Sequence, residues 1–493
     1  MQKKIHVLAI DLGASNGRAF LGRFADQKLE IEEIHRFENR PLTVNEKLCW
    51  DFDSLWDEIK TSLKKAHVSG GFDSVAIDTW GVDYGFLDRE GKLSEMPVHY
   101  RDNRTDSIPE QVFRIISDFD LYRLTGNQIL KINTLFQLIA SKKERQFEQA
   151  QTLLFMPDLF GFFLSGNLYS ERSIASTSQM FNPVSLSWEN AILTPLGIPR
   201  SLLQDVIPSG TIVGELRQEL CRELNIPQSK VIAAAGHDTQ CAIAALPSNA
   251  PDIAFLSCGT WSLFGTELDS PVLTYESMKD DMSNELGANG KIDYLKNING
   301  LWLIQECRRE WRKENSCLDY SEIERMANES EPFRSFIDPD DDIFSSPGDF
   351  PQKIQAFCTE TGQTVPTDIG AIARCIYESL ALKYRYTLDQ IQKNTGKKHT
   401  ALHIVGGGVQ SRILCQFASD SLGIPVYAGP IEATVFGNMM IQLTALGAIQ
   451  NIQSGRSIIA ESVQIQKYVP HEQGKWNAAY QQFLRMINKE NAS

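Results

Sequence analysis

His6-Val-Leu-Ala-Ile-Asp-Leu-Gly-Ala-Ser-Asn-Gly-Arg-Ala-Phe-Leu-Gly-Arg-Phe24 opens the chain with an apolar run, a glycine-bearing turn and a second alternating run. Two such runs around a short Gly/Asn/Ser segment predict a β-hairpin. Glycine at a hairpin tip leaves no Cβ to obstruct convergence of backbone N–H groups on an anion. A strand follows the turn and no G-x-x-x-x-G-K-[ST] is present, so this is not a P-loop.

The same layout returns at Ile253-Ala-Phe-Leu-Ser-Cys-Gly-Thr-Trp-Ser-Leu-Phe-Gly-Thr266, where Gly259 lies 246 residues after Gly13. Self-similarity at half the chain length predicts an internal duplication. Leu246-Pro-Ser-Asn-Ala-Pro-Asp252 has linker composition. Two related α/β domains facing each other across a cleft are therefore expected, one over residues 1–246 and one over 252–450, with 451–493 as a peripheral C-terminal segment. Binding sites commonly lie at such domain interfaces.

Composition excludes several alternatives. The 493 residues carry 48 Lys and Arg against 62 Asp and Glu, a net charge of −14. That balance argues against a nucleic-acid partner, which needs clustered cations. No apolar run approaches the ~18 residues of a membrane span, and the N-terminus enters a strand pattern without a signal-peptide core. A cytoplasmic protein is expected, monomeric or homodimeric. The nine cysteines never form C-x-x-C and read as reduced thiols.

Outward from the hairpins, helix and strand alternate. Leu55–Lys65 reads as a helix capped by Asp53-Ser54. Val75–Asp78 reads as a strand delivering Thr79-Trp-Gly-Val-Asp83, with Trp80 offering a flat apolar face and Asp83 a hydrogen-bond acceptor. Ala371–Lys383 is expected as a helix, Leu402–Val405 as a strand ending at Gly406-Gly-Gly408, and Ser411–Leu422 and Thr434–Leu446 as helices.

Candidate chemistry sits at the strand ends. Ala14, Ser15, Asn16 and Gly17 fit a phosphate-binding turn, with Arg18 adding positive charge. Asp11 is placed to hold Mg²⁺ through water, since this cation keeps most of its hydration. Thr260 is the second hairpin's counterpart, either a phosphate ligand or a satisfied strand-edge threonine. The three glycines 406–408 either let backbone lie flat against a nucleoside or simply make a tight strand-to-helix turn. In Gly236-His-Asp-Thr239, Asp238 precedes a helix-like segment and reads as a plain N-cap or as a base for phosphoryl transfer, its ionised form favoured by the helix terminus. His237 is a sugar partner or a packed histidine.

Asp11-Leu-Gly-Ala-Ser-Asn-Gly-Arg18, Asp78-Thr-Trp-Gly-Val-Asp83, Tyr100-Arg-Asp-Asn-Arg-Thr105, Met156-Pro-Asp158, Gly236-His-Asp-Thr239, Ser257-Cys-Gly-Thr-Trp-Ser262 and Gly406-Gly-Gly408 together resemble the FGGY family of carbohydrate kinases. The resemblance runs from about Ile5 to Gly447. It implies two RNase H-like domains of the actin and sugar-kinase superfamily, with ATP and Mg²⁺ as cosubstrate and cation. Asp238 would be the base; Ala14 to Arg18, Thr260, Gln305 and Gly407 would contact ATP; Gly81, His237, Thr239 and Asn297 would touch the sugar. His35-Arg-Phe37, Asn133-Thr-Leu-Phe136, Leu295-Lys-Asn-Ile298, Gly300-Leu-Trp302 and Gly429-Pro-Ile-Glu-Ala433 point within the family to phosphorylation of L-rhamnulose at O1. Another ketose, such as fuculose or xylulose, is the alternative, and a nucleotide-gated sugar-binding protein a more distant one. The lysine of the family's first signature is not recognisable in Lys131-Ile-Asn-Thr-Leu-Phe-Gln137, which weakens a glycerol or xylulose assignment.

Overall fold

The computed structural model describes residues 4–344 and 346–490. The elements that position the site are, in chain order, β1 (Ile5–Leu12), β2 (Asn16–Ala25), β3 (Lys28–Glu38), α1 (Phe52–Val68), β4 (Ser74–Thr79), α2 (Thr134–Ser141), β5 (Thr211–Glu215), β6 (Lys230–Ala233), α3 (Asp238–Ala244), β7 (Ile253–Cys258), β8 (Trp261–Leu268), β9 (Ser283–Leu286), β10 (Ile292–Asn299), α4 (Trp302–Trp311), α5 (Ile369–Thr395), β11 (Ala401–Val405), α6 (Arg412–Leu422), β12 (Val426–Ala428), α7 (Ala433–Ala445), α8 (Ile452–Ser462), β13 (Gln466–Tyr468) and α9 (Gln473–Glu490).

The chain forms two compact units. The first comprises the stretch ending at Asn249 together with Glu267–Tyr294 and Ala433–Ser462; the second comprises Ala250–Thr266, Leu295–Glu432 and the chain from Val463 onward. The sheet of the first unit runs β5-β6-β4-β1-β2-β3. Its centre is parallel, β1 with β4 and β4 with β6, and β2 and β3 continue it antiparallel. Leu8, Ile10 and Leu12 of β1 are fully buried in one cluster with Ile59, Leu63 and Trp50, as a strand covered on both faces requires.

A seven-stranded sheet built on the second hairpin runs β9-β10-β8-β7-β11-β12-β13 and from β10 onward repeats this order. Its opening strand β7 is likewise antiparallel to β8 and parallel to β11, and β11 is parallel to β12. The duplication expected from the two hairpins is thus present as sheet topology and not only as local sequence.

Local details differ from expectation. Helix α1 begins at Phe52, and its cap is Asp51, whose Oδ1 accepts from Ser54 N at 3.1 Å; Asp53, expected as the cap, lies in the first turn. Helix α5 extends 12 residues past the expected end, from Lys383 to Thr395, because Thr387, Leu388 and Ile391 continue its buried face. Beyond Gln450 the chain adds α8, the edge strand β13 and α9, which buries Trp476 and Phe483. None of the nine cysteines is in a disulfide. Among the described residues no helix is long and apolar enough to cross a membrane.

Candidate active site

In the first unit, β1 and β2 pair in register from Ile5 opposite Phe24 to Leu12 opposite Gly17. The turn closes by Gly13 N donating to Asn16 O at 2.9 Å, and Asn39 Nδ2 donates to Gly13 O. Ser15 and Asn16 are exposed at the tip, Ala14 and Arg18 half-buried, and Gly17 buried. A Cβ on Gly17 would lie 2.2 Å from the Phe37 ring, so this glycine is demanded by β3 packing. Arg18 Nη2 donates to Asp11 Oδ2 at 2.5 Å. Its charge is therefore shared with a carboxylate and is not held for an anion alone.

Asp11 stands opposite Asp78 across the parallel β1/β4 pair. Asp78 is fully buried; its Oδ2 accepts from Asn438 Nδ2 of α7 at 2.6 Å, while Oδ1 has no partner. Burial, reinforced by the Asp11 charge, holds the Asp78 carboxyl well above its ordinary range. Sequence reading passed over Asp78 as a site residue, although it lies next to the last residue of the strand that delivers Gly81.

Asp238 is the first residue of α3, and His237 occupies the cap position without a capping side-chain bond. The plain N-cap reading of Asp238 is thereby set aside. Its Oδ1 accepts from its neighbour Thr239, from N at 2.6 Å and from Oγ1 at 3.3 Å. The side chain retains 30% exposure. The expectation that the helix terminus favours its ionised form is overridden: desolvation raises the carboxyl to about 6, against the pull of His237 and with the Asp11 charge adding to the rise.

His237 lies between two carboxylates. Nδ1 is 2.9 Å from Glu285 Oε2 of β9, and Nε2 is 3.6 Å from Asp238 Oδ1. A Cβ on Gly81 would sit 3.4 Å from the same Nε2, so the bare Gly81 backbone leaves this edge of the ring uncrowded. Gly81, His237, Asp238 and Thr239 thus come together. Glu285, absent from the sequence reading, joins them and also accepts from Gln240 Nε2 at 2.9 Å. A second missed carboxylate, Glu171, is 1% exposed and accepts from Gly236 N and Ser173 N, fixing the turn that presents His237. At the other end of α3, Arg456 donates to Ile243 O and Ala244 O while pairing with Glu267.

Asp83 does not offer a free acceptor. It is fully buried, and its carboxylate accepts from Trp50 Nε1, Trp80 Nε1, Tyr100 N and Gln137 Nε2. Trp80 is 6% exposed and its ring lies 3.9 Å from that of Trp50. The pair reads as sugar-facing from its local sequence only because the donors that fill Asp83 come from distant segments. Between them Val82 takes a φ of +67°, rare for a β-branched residue. Its backbone is held by Thr177 Oγ1 on N and Thr134 Oγ1 on O, which fixes the turn at Gly81.

In the second unit the β7/β8 turn closes by Gly259 N donating to Trp261 O at 2.8 Å. The carbonyls of Gly259 and Thr260 accept from Leu301 N, and from Gly300 N and Trp302 N, at the start of α4. With the carbonyls so occupied, the Thr260 hydroxyl reaches Gln305 Oε1 at 3.4 Å. Asn297 lies half-buried on β10, whose end is fixed where Asn299 N donates to Asp340. The three glycines divide their work. A Cβ on Gly408 would lie 2.2 Å from Cys258 Sγ, and Gly406 has φ +86° against Cys258 O; Gly407 is exposed with nothing within 4 Å. Among the described residues no group of three or more His, Cys, Asp or Glu is arranged as a metal site.

The chain matches the FGGY family of carbohydrate kinases, N-terminal domain, over residues 6–245 and the C-terminal domain of that family over residues 254–446. A rhamnulokinase of Bacteroides thetaiotaomicron is 40% identical over 487 residues, 98% of this chain and 100% of the relative. One of Enterococcus faecalis is 39% identical over 94% of this chain and 93% of the relative. Among solved structures, a gluconate kinase from Lactobacillus acidophilus superimposes with a TM-score of 0.80 at 18% identity, over 99% of this chain and 98% of that one. Plasmodium falciparum glycerol kinase with ADP gives 0.77 at 15% identity over 99% and 98%; at these identities the likeness is one of fold. The duplicated sheet, the paired glycine hairpins and the whole-length match together make this chain a member of the FGGY family of carbohydrate kinases, an enzyme that transfers a phosphoryl group to an alcohol.

Proposed function

We propose that this kinase transfers the γ-phosphoryl group of ATP to O1 of L-rhamnulose, giving L-rhamnulose 1-phosphate in L-rhamnose catabolism. What carries the substrate assignment is the whole-length similarity, at 37–40% identity, to relatives named rhamnulokinase. The site chemistry supports the roles. Phosphoryl transfer rests on positioning and charge stabilisation and asks only for a modest base. Asp238 meets that need: with its carboxyl at about 6 it is ionised at neutral pH yet basic enough to accept the O1 proton. His237, Thr239 and Gly81 beside it, and Asn297 in the second unit, are the sugar contacts. A site that pairs each hydroxyl discriminates by about 1–3 kcal/mol per unmatched buried group.

The two hairpin turns serve the phosphates, Ala14 to Arg18 in one unit and Thr260 in the other, with Gln305 and the open backbone of Gly407 on the nucleotide side. Asp11 fits a water-mediated Mg²⁺ ligand, because beside it the buried Oδ1 of Asp78 lacks any protein partner. When bound, the cation would supply charge neutralisation on the transferred group. We read the protein as cytoplasmic and monomeric or homodimeric; its net charge of −14 supports the reading that it has no nucleic-acid partner.

The test is a coupled kinase assay of purified protein against L-rhamnulose, fuculose and xylulose. Rhamnulose should give the highest kcat/KM, with an acid limb near pH 6. Asp238→Asn should lower kcat by about 10²–10⁴-fold. Equal kcat/KM across the panel defeats the substrate assignment, and a near-normal Asp238→Asn rate defeats the base.

A further inference from the structure

We propose that Glu285 is a positioning residue for phosphoryl transfer: bonded to His237 Nδ1, it holds that ring with Nε2 turned towards Asp238 and the open edge left by Gly81. The proposal rests on the reading of Asp238 as base and His237 as sugar contact.

Four observations on the first unit converge on it. The Nδ1 to Oε2 separation is 2.9 Å, and both side chains are nearly sealed, His237 at 11% and Glu285 at 5% exposure. The same Oε2 accepts from Gln240 Nε2, so the carboxylate cannot swing from the ring without orphaning a second buried donor. The strand is itself anchored, Leu286 N donating to Ser176 Oγ at 3.0 Å. Finally, His237 N meets Ser173 Oγ, leaving rotation of the ring as the remaining freedom, and Glu285 removes it.

The consequence is electrostatic as well as geometric. A carboxylate on one imidazole nitrogen determines which protons the ring carries and where the other nitrogen points. The charged groups facing His237 are Glu285 from β9, Asp238 from its own turn and Glu171 from the segment between α2 and β5. Burial opposes a charge on the ring, but these carboxylates, Glu285 first, more than offset it and raise its pKa above the ordinary value. When the ring so held carries its second proton, it favours the ionised form of Asp238 and presents an N–H donor to a substrate hydroxyl.

Ring ¹⁵N NMR of the full-length protein tests this, the His237 signals being identified by their loss in His237→Gln. The wild-type ring should titrate above the ~6.5 of a free imidazole. In Glu285→Gln, which conserves shape, the midpoint should fall below that value. The ketose kcat/KM of this variant should drop about tenfold while the ATP KM stays put. A wild-type midpoint at or below 6.5 overturns the proposal with no variant needed, and so does a Glu285→Gln enzyme with unchanged titration and ketose kcat/KM. Asp238→Asn is assayed alongside. If it remains active the base reading fails, while the His237 titration still reports on Glu285.

Discussion

The two hairpins share a backbone and differ in charge. Near the end of β1 Asp11 is paired with Arg18 and stands beside Asp78; at the matching place on β7, 246 residues on, is Ser257, and the residue opposite it on β8 is Leu263. The second turn is neutral, and its carbonyls are taken up by the start of α4. Duplication therefore preserved the closed hairpin turn, while the Asp11–Arg18 pair belongs to the first hairpin. Neutral donors aimed at a phosphate need only fixed geometry, whereas carboxylates need a buried counter-group to be held in place.

The sharpest way to break this comparison is to remove the acid from one turn and its counterpart from the other. Asp11→Asn should lower kcat by roughly 10²-fold, the order expected for losing one preorganised charge-stabilising group. Ser257→Ala should stay within about twofold, since surface-like changes without buried partners are small. Steady-state kinetics at saturating ATP decides. Equal losses in the two variants mean that both turns carry the same work and that the charge asymmetry is incidental.

A smaller effect separates packing from chemistry. Gly17→Ala drives a methyl into the Phe37 ring and Gly408→Ala drives one into Cys258 Sγ, each at 2.2 Å. Overpacking of this kind costs typically 1–3 kcal/mol. Thermal unfolding should register both, and Phe37→Leu should recover part of the Gly17→Ala loss, because a smaller side chain vacates the clash. An unchanged Tm in Gly17→Ala would show that β3 yields and that the glycine is held for the ligand instead.

What was legible in the sequence was whatever is local. Hairpins, strand ends and the order of the glycine turns follow from runs of a few residues, and Asp238 was found because His237 and Thr239 flank it. The supporting groups were not legible, since each reaches the site from far along the chain: Glu285 lies 48 residues from His237, Glu171 65 from Gly236, and Asn438 360 from Asp78. In Ser-Asn-Glu-Leu286 nothing marks the glutamate as more than a strand residue. Asp83 was misread for the same reason in reverse. Its neighbours in sequence suggested a sugar acceptor, while its donors Trp50, Tyr100 and Gln137 are tertiary.

The finest test lies in the glycine triplet, where necessity and function part within three residues. Gly406 and Gly408 are dictated by Cys258 of the second hairpin, the one through a positive φ against its carbonyl and the other through its sulfur. Gly407 is exposed, meets nothing within 4 Å and has no positive φ, so folding places no demand on it. Gly407→Ala should leave unfolding free energy within about 0.5 kcal/mol of the parent. If the bare backbone there lies against the nucleoside, an added methyl should raise the ATP KM about threefold, a loss near 0.7 kcal/mol, with the ketose KM unchanged. An unaltered ATP KM would assign all three glycines to the strand-to-helix turn, and the second unit would then contact the nucleotide through Thr260 and Gln305 alone.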